Sequence, residues 1–167
     1  MGGLSSLATL KRQPRDNKSG MTPSDQVEAV FSEIPGLFGK AADSMREIEA
    51  LLRAKGIERI APAELIGAER DTVRSYFDRN VLPIFSPLII DPRHPFPNLR
   101  NGALYVACTL ASASDDEQGL LGIIEVPASL PRVVEVSNVD GRVRYILLED
   151  VILACLDSCF GTYAPQD

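Results

Sequence analysis

The chain has one histidine, His94, in the run Asp91-Pro92-Arg93-His94-Pro95-Phe96-Pro97. An imidazole can act as a general base or accept a phosphoryl group as a nucleophile. Either role needs an orienting carboxylate, and phosphate transfer also needs cationic donors. Asp91 and Arg93 are near in sequence, but closeness among prolines does not make them converge, so His94 is expected to brace a rigid turn. Cys155 and Cys159 are four apart and share one face of a helix. Zinc would require two more ligands, which Cys108 on a strand and His94 in a loop would have to supply, and the spacing is not that of a zinc module. Buried apolar thiols are the expected reading. Asp115-Asp116-Glu117 is acidic enough to attract a cation but lacks the spacing of a calcium loop. Gly2-Gly3 and Gly119-Leu120-Leu121-Gly122 do not form a nucleotide fingerprint, and no nucleophile elbow is present. No residue is therefore assigned a catalytic, cofactor-binding or metal-binding role.

The elements that would position these groups are legible from periodicity and punctuation. Thr22-Pro23-Ser24-Asp25 is a helix start: Thr22 can cap, Pro23 suits the first helical position and Asp25 favours the positive end of the dipole. Val27, Val30, Phe31 and Ile34 recur at helical spacing, and the pattern resumes at Phe38, Ala41, Met45, Ile48 and Leu52. Pro35-Gly36 predicts a kink or short break between the two runs. The stripe predicts the seam of an antiparallel helical pair, and Gly56 suits a C-cap. A second helix is predicted from Pro62 or Ala68 to about Asn80, with Val73, Phe77 and Val81 on one face. Two such helices make an incomplete core, as in a three-helix bundle lacking its first helix.

Beyond the proline-rich segment the period becomes extended. Leu104 to Leu110 predicts a strand and Leu120 to Val126 its antiparallel partner. Arg132 to Val136 leads through the turn Asn138-Val139-Asp140-Gly141 into Arg142 to Leu148. A final helix is predicted from Glu149-Asp150 to Phe160, with Val151, Ile152, Cys155 and Cys159 along one stripe. The fold class is α+β: a partial antiparallel helical bundle followed by a mostly antiparallel or mixed sheet with a packed helix.

Composition excludes several function classes. Of 167 residues, 45% are apolar and 24% charged, with a net charge of −6. That is a globular composition without the clustered Lys and Arg of a nucleic-acid surface. The one basic cluster, Lys11, Arg12, Arg15 and Lys18, reads as a solvated arm. No apolar run reaches membrane-spanning length, and no signal peptide is evident. Three cysteines fit a reducing cytoplasm better than a disulfide framework.

One stretch carries a resemblance. Leu82-Pro83-Ile84, Ser86-Pro87-Leu88, Asp91-Pro92, His94-Pro95-Phe96-Pro97 and Asn101 follow an aromatic helix end at Tyr76-Phe77. This run resembles the entry to the head domain of the long bacterial polyphosphate kinases. Val126-Pro127 with Leu130-Pro131-Arg132, and Leu148-Glu149-Asp150-Val151-Ile152, resemble two further motifs of that family. Upstream, Leu10-Lys11-Arg12-Gln13 and Met21-Thr22-Pro23-Ser24-Asp25-Gln26 resemble the second half of its helical N-terminal domain.

The resemblance implies that complete enzymes of this type reversibly move the terminal phosphate of ATP onto polyphosphate, through a phosphorylated histidine and with magnesium. ATP and magnesium belong to the complete enzyme, and no cofactor is expected in this chain. The family's nucleophilic histidine, basic tunnel and metal ligands lie in two later domains that this chain does not include. His94 corresponds to a head-domain histidine and not to the phosphorylated one. The implied organisation is a flexible arm at 1–21, a partial helical N-terminal domain at 22–81 and a head domain at 82–167 that ends short. The expected function is a scaffold or dimerisation segment, inactive alone; the alternative is an independent interaction or regulatory module. Expected partners are the chain itself or full-length kinase subunits, with polyphosphate and ATP reached only through absent domains. The expected location is the cytoplasm, with peripheral membrane attachment left open. A short head domain would also leave a sheet edge, covered either by self-association or by the tail from Tyr163 to Asp167.

Overall fold

The computed structural model describes residues 2–91, 93, 95–111, 120–161 and 165–166. The readings placed on His94, on Asp115-Asp116-Glu117 and on Tyr163 lie outside the described residues. The chain divides into two compact units, residues 1–51 and 52–167.

The first unit opens with a short helix, α1 (Gly2–Ala8), where the sequence predicts a flexible arm. Gln13 ties the following turn together: its Nε2 donates to the Ala8 carbonyl at 2.8 Å and to Ser24 Oγ at 2.7 Å. Helix α2 (Pro23–Ala54) begins as its sequence demands. The Thr22 amide donates to Asp25 Oδ2 at 2.9 Å and the Asp25 amide donates to Thr22 Oγ1 at 3.2 Å. This reciprocal pair satisfies two of the unpaired amides at a helix start. The bond from the Thr22 amide, then that from its hydroxyl, holds the Asp25 carboxyl below its usual range.

Helix α2 runs without interruption through Pro35, where a kink or break is expected. Pro35 removes one amide from the ladder, but it lies on an exposed turn where water can take up the freed carbonyl. The helix is also solitary: Pro23 is its only buried residue, so the expected antiparallel pair has no second member among the described residues.

The second unit holds the sheets. Gly56, at φ +80°, turns the chain out of α2 into β1 (Ile57–Arg59). A single 3₁₀ turn at Pro62–Glu64 precedes α3 (Gly67–Tyr76). Helix α3 then widens into a π turn at Phe77–Val81, closed by the Leu82 amide on the Phe77 carbonyl at 2.9 Å. Phe77 and Val81 are fully buried. The Phe85 ring meets Phe77 edge-on, with centroids 5.8 Å apart, so the proline-rich segment is anchored to the core at its start.

The extended segments form two sheets where the sequence predicts one. Strands β2 (Leu88–Ile90), β3 (Tyr105–Leu110), β4 (Leu120–Glu125) and β7 (Pro165–Gln166) make one sheet in the order β2-β4-β3-β7, antiparallel throughout. Pairing of Thr109 with Gln166 and of Leu110 with Pro165 covers the last two residues of β3 on its far side. Strands β5 (Val133–Val139) and β6 (Arg142–Leu147) form the predicted hairpin. Its two turn residues, Asp140 and Gly141, take φ +51° and +76°, as an Asp-Gly turn with two left-handed positions requires. Strand β1 adds to β6 in parallel to complete the second sheet.

Helix α4 (Leu148–Ala154) lies against β3 of one sheet and β6 of the other. Leu148, Val151 and Ile152 are buried there with Leu110, Ile124 and Ile146. The helix stops at Ala154, before the predicted Phe160, and a 3₁₀ turn at Leu156–Ser158 follows. The sequence reading divides the chain at 81/82; packing divides it at 51/52, because α3 and its π turn bury Val73, Phe77 and Val81 in the same core as the sheets.

Candidate functional site

The two helical cysteines sit in this core. Cys155 is 2% exposed and Cys159 5%. Burial pushes their thiols up to about 11 and about 12, so neither is a thiolate at neutral pH. Cys159 Sγ donates to the Cys155 carbonyl at 3.4 Å. Among the described residues, no three of the types His, Cys, Asp and Glu converge on a metal-sized site. Asp91 and Arg93 do come together: the guanidinium straddles the carboxylate, Nη2 to Oδ2 at 2.7 Å. That pair is a turn clamp within three residues.

One cleft lies where the loop 100–104 faces the segment 126–132. It encloses about 500 Å³, with Val126, Pro127, Leu130 and Leu148 as its apolar floor and Arg100 and Arg132 at its rim. Both arginines are committed elsewhere. Arg100 pairs with Glu125, whose Oε2 also accepts the Tyr105 hydroxyl at 3.1 Å. The same hydroxyl accepts the Arg100 amide at 2.8 Å, which fixes the loop. Arg132 grips Glu149 with Nη2 at 2.6 Å and Nε at 3.1 Å. Burial pushes the Glu149 carboxyl up, but the Arg132 hydrogen bond and the residue's own amide outweigh it and hold the group below its usual range. The Glu149 bond in turn raises Arg132 further. The cleft therefore presents an apolar floor between neutralised ion pairs. No lining residue has a side chain suited to act as a nucleophile or general base at neutral pH.

A second cleft of about 430 Å³ lies beside Arg53, Glu58, Arg142 and Arg144. It borders an ion-pair network that sequence reasoning missed. Glu69, 8% exposed, pairs with Arg144 and accepts the Ser137 hydroxyl at 3.1 Å. Arg144 Nε also lies 3.5 Å from Glu58 Oε2. Ser137 reaches Glu69 because the ladder slips between Glu135 and Ser137, where a bulge re-aims the strand. A signal was present: Glu69 precedes Val73 and Phe77 at four-residue spacing, which places a carboxylate on the buried stripe of α3.

Residues 68–167 match the family model described as the polyphosphate kinase middle domain. The polyphosphate kinase of Exiguobacterium sibiricum is 31% identical over 164 residues, covering 98% of this chain and 23% of that protein. That of Bacillus cereus is 29% identical over 167 residues, covering 98% and 24%. A crystal structure of polyphosphate kinase from Porphyromonas gingivalis superposes with a TM-score of 0.64 at 28% identity, over 73% of this chain and 21% of that one. The chain thus spans about a quarter of the length of the curated relatives it matches.

Proposed function

The chain belongs to the polyphosphate kinase family, matching its middle domain, and from that premise we propose that it is a non-catalytic scaffold segment of such an enzyme, inactive alone. The observation that carries this reading is the state of its polar groups. Arg100, Arg132 and Arg144, three of the arginines that line the two clefts, are each held by carboxylates of the same chain. Phosphoryl transfer depends on cations free to neutralise the transferring group. Among the described residues no three of the types His, Cys, Asp and Glu converge where they could hold a metal ion. These residues instead lock loops and strands together, as a scaffold requires. Association with another copy or with other kinase subunits, in the cytoplasm, completes the reading; no helix among the described residues is long and apolar enough to cross a membrane.

The test is incubation of the purified chain with ATP, magnesium and a polyphosphate primer. No polyphosphate synthesis above the blank is expected. Synthesis that persists after contaminating kinase is excluded would overturn the reading.

A further inference from the structure

The cleft beside β6 holds more positive charge than the chain neutralises. Three guanidinium groups line it, those of Arg53, Arg142 and Arg144, against one carboxylate, Glu58. Their convergence follows from the register. Arg142 and Arg144 are two apart on β6, so both stand on one face of the sheet. Glu58 lies level with Arg144 on β1, and Arg53 comes from the last turn of α2.

Glu58 does not satisfy all three. Its Oε1 lies 3.2 Å from Arg53 Nε, while its Oε2 stands 3.5 Å from Arg144 Nε. That Arg144 Nε is buried without a hydrogen bond, the one such side-chain atom among the described residues. Arg144 spends Nη1 on Glu69, behind the cleft. Arg142 is exposed and makes no ion pair with any described residue. Three cations thus face two carboxylates, in a chain whose net charge is −6. Lys55 and Asp140, on the two flanking turns, carry opposite charges and are not part of its walls.

Backbone groups that would repel an anion are occupied. The Leu52 and Arg53 carbonyls at the end of α2 accept the Lys55 and Gly56 amides at 2.9 and 3.0 Å. The Gly56 carbonyl accepts the Val143 amide at 2.8 Å. Gly56 itself, held at φ +80°, adds no side chain to the wall.

We propose that this cleft binds a small multivalent oxyanion of the phosphate class, with Arg142 as the principal ligand and Arg53 and Arg144 completing the cradle. Glu58 is a positioning residue, which orients two of the guanidinium groups through their Nε edges. A guanidinium fork pairs with two oxygens at once, so it favours a phosphate group over a single point of charge such as chloride. A cleft of about 430 Å³ admits a mono- or diphosphate group. The site binds without transferring, since it offers no nucleophile, and it stands independently of the scaffold reading.

The test is titration of the whole chain with sodium pyrophosphate in about 0.15 M salt, where diffuse attraction is screened, followed by amide NMR. Saturable shifts are expected at Gly56, Val143 and Arg144. Arg142→Gln should weaken binding about tenfold, by loss of one charge-assisted pair, and Arg53→Gln should weaken it in the same direction. Arg132→Gln removes the same charge from the other cleft and should leave binding unchanged. A second arm uses phenyl phosphate. Equal binding assigns the site to a terminal phosphoryl group of a larger molecule; binding of pyrophosphate alone assigns it to the free ion. Absence of saturable shifts would overturn the proposal. So would an equal loss in Arg142→Gln and Arg132→Gln, or saturable shifts confined to residues away from the cleft.

Discussion

Arg132 and Glu149 close on each other: Nη2 donates to Oε1 at 2.6 Å, and Nε is shared between Oε1 at 3.1 Å and Oε2 at 3.2 Å. The residue that ends the Leu130-Pro131-Arg132 motif thus meets the second residue of the Leu148-Glu149-Asp150 motif. Backbone reinforces the contact: the Leu148 amide donates to the Arg132 carbonyl at 2.8 Å. Two motifs that look independent in sequence are the two sides of one joint, between the start of β5 and the start of α4.

That joint should be measurable and modest in strength. Arg132 is 65% exposed and Glu149 16%, so solvent weakens the attraction and a double-mutant cycle with Arg132→Ala and Glu149→Gln should return a coupling of about 1 kcal/mol. The sign with pH follows from the depressed Glu149 carboxyl. Its contribution is present above the usual carboxylate value of 4.5 and is lost as pH falls through the lower folded value. Denaturant melts between neutral and acidic pH should show the coupling vanish in that window; a coupling unchanged at the acid end would refute the assignment.

The Glu69–Arg144 pair should matter more, because it is further from water. Arg144→Met leaves the Glu69 carboxylate with the Ser137 hydroxyl as its remaining side-chain donor. A loss of about 2 to 3 kcal/mol is expected, toward the lower end of the range for broken buried pairs because Arg144 keeps 27% exposure. Adding Glu69→Met should recover part of it, since an apolar pair avoids the stranded charge. Chemical denaturation of the three variants checks this, and a double variant less stable than Arg144→Met would contradict it.

Gly122 has no room for a side chain. A Cβ built there would lie 2.5 Å from Phe160 Cζ and 3.0 Å from Cys108 Sγ. Gly122→Ala should therefore cost about 1 to 3 kcal/mol through overpacking. Paired with Phe160→Leu, which opens the space, it should cost less than the sum of the two single changes. Additive thermal denaturation data would show that the ring does not set the limit.

The buried thiols give a chemical readout. Cys155 and Cys159 titrate near 11 and 12, against 9.0 for a free thiol. The neutral form is favoured in the fold, so this contribution to stability is complete below pH 9.0 and is lost as pH rises through the folded values. Alkylation of both at mildly alkaline pH should track global unfolding. Rapid labelling of Cys159 in the native protein would place it outside the core.

The readings that hold depend on neighbours in sequence. Thr22 and Asp25 cap α2 from three residues apart, and Asp140-Gly141 turns the hairpin because only left-handed backbone closes two strands over two residues. Local hydrogen bonds and steric limits settle such features before any tertiary contact forms. The mismatches lie where that locality ends. Pro35 breaks one rung of a ladder whose other rungs hold, so α2 continues through it. Cys155 falls outside α4 although it stays on the buried side, because burial and helical geometry are separate requirements.

Residue types and spacing by themselves determined the α+β order, the hairpin, the capped start of α2 and the family motifs, all carried by short-range physics. Only the tertiary structure decided that there are two sheets, that β1 joins β6 in parallel, and that Pro165–Gln166 pairs with the end of β3. It also decided that Glu69 meets Arg144 across 75 residues. Closing such loops costs chain entropy that no local pattern encodes. The cost is offset by the shared core around α4, whose shape selects which distant strands and charges meet.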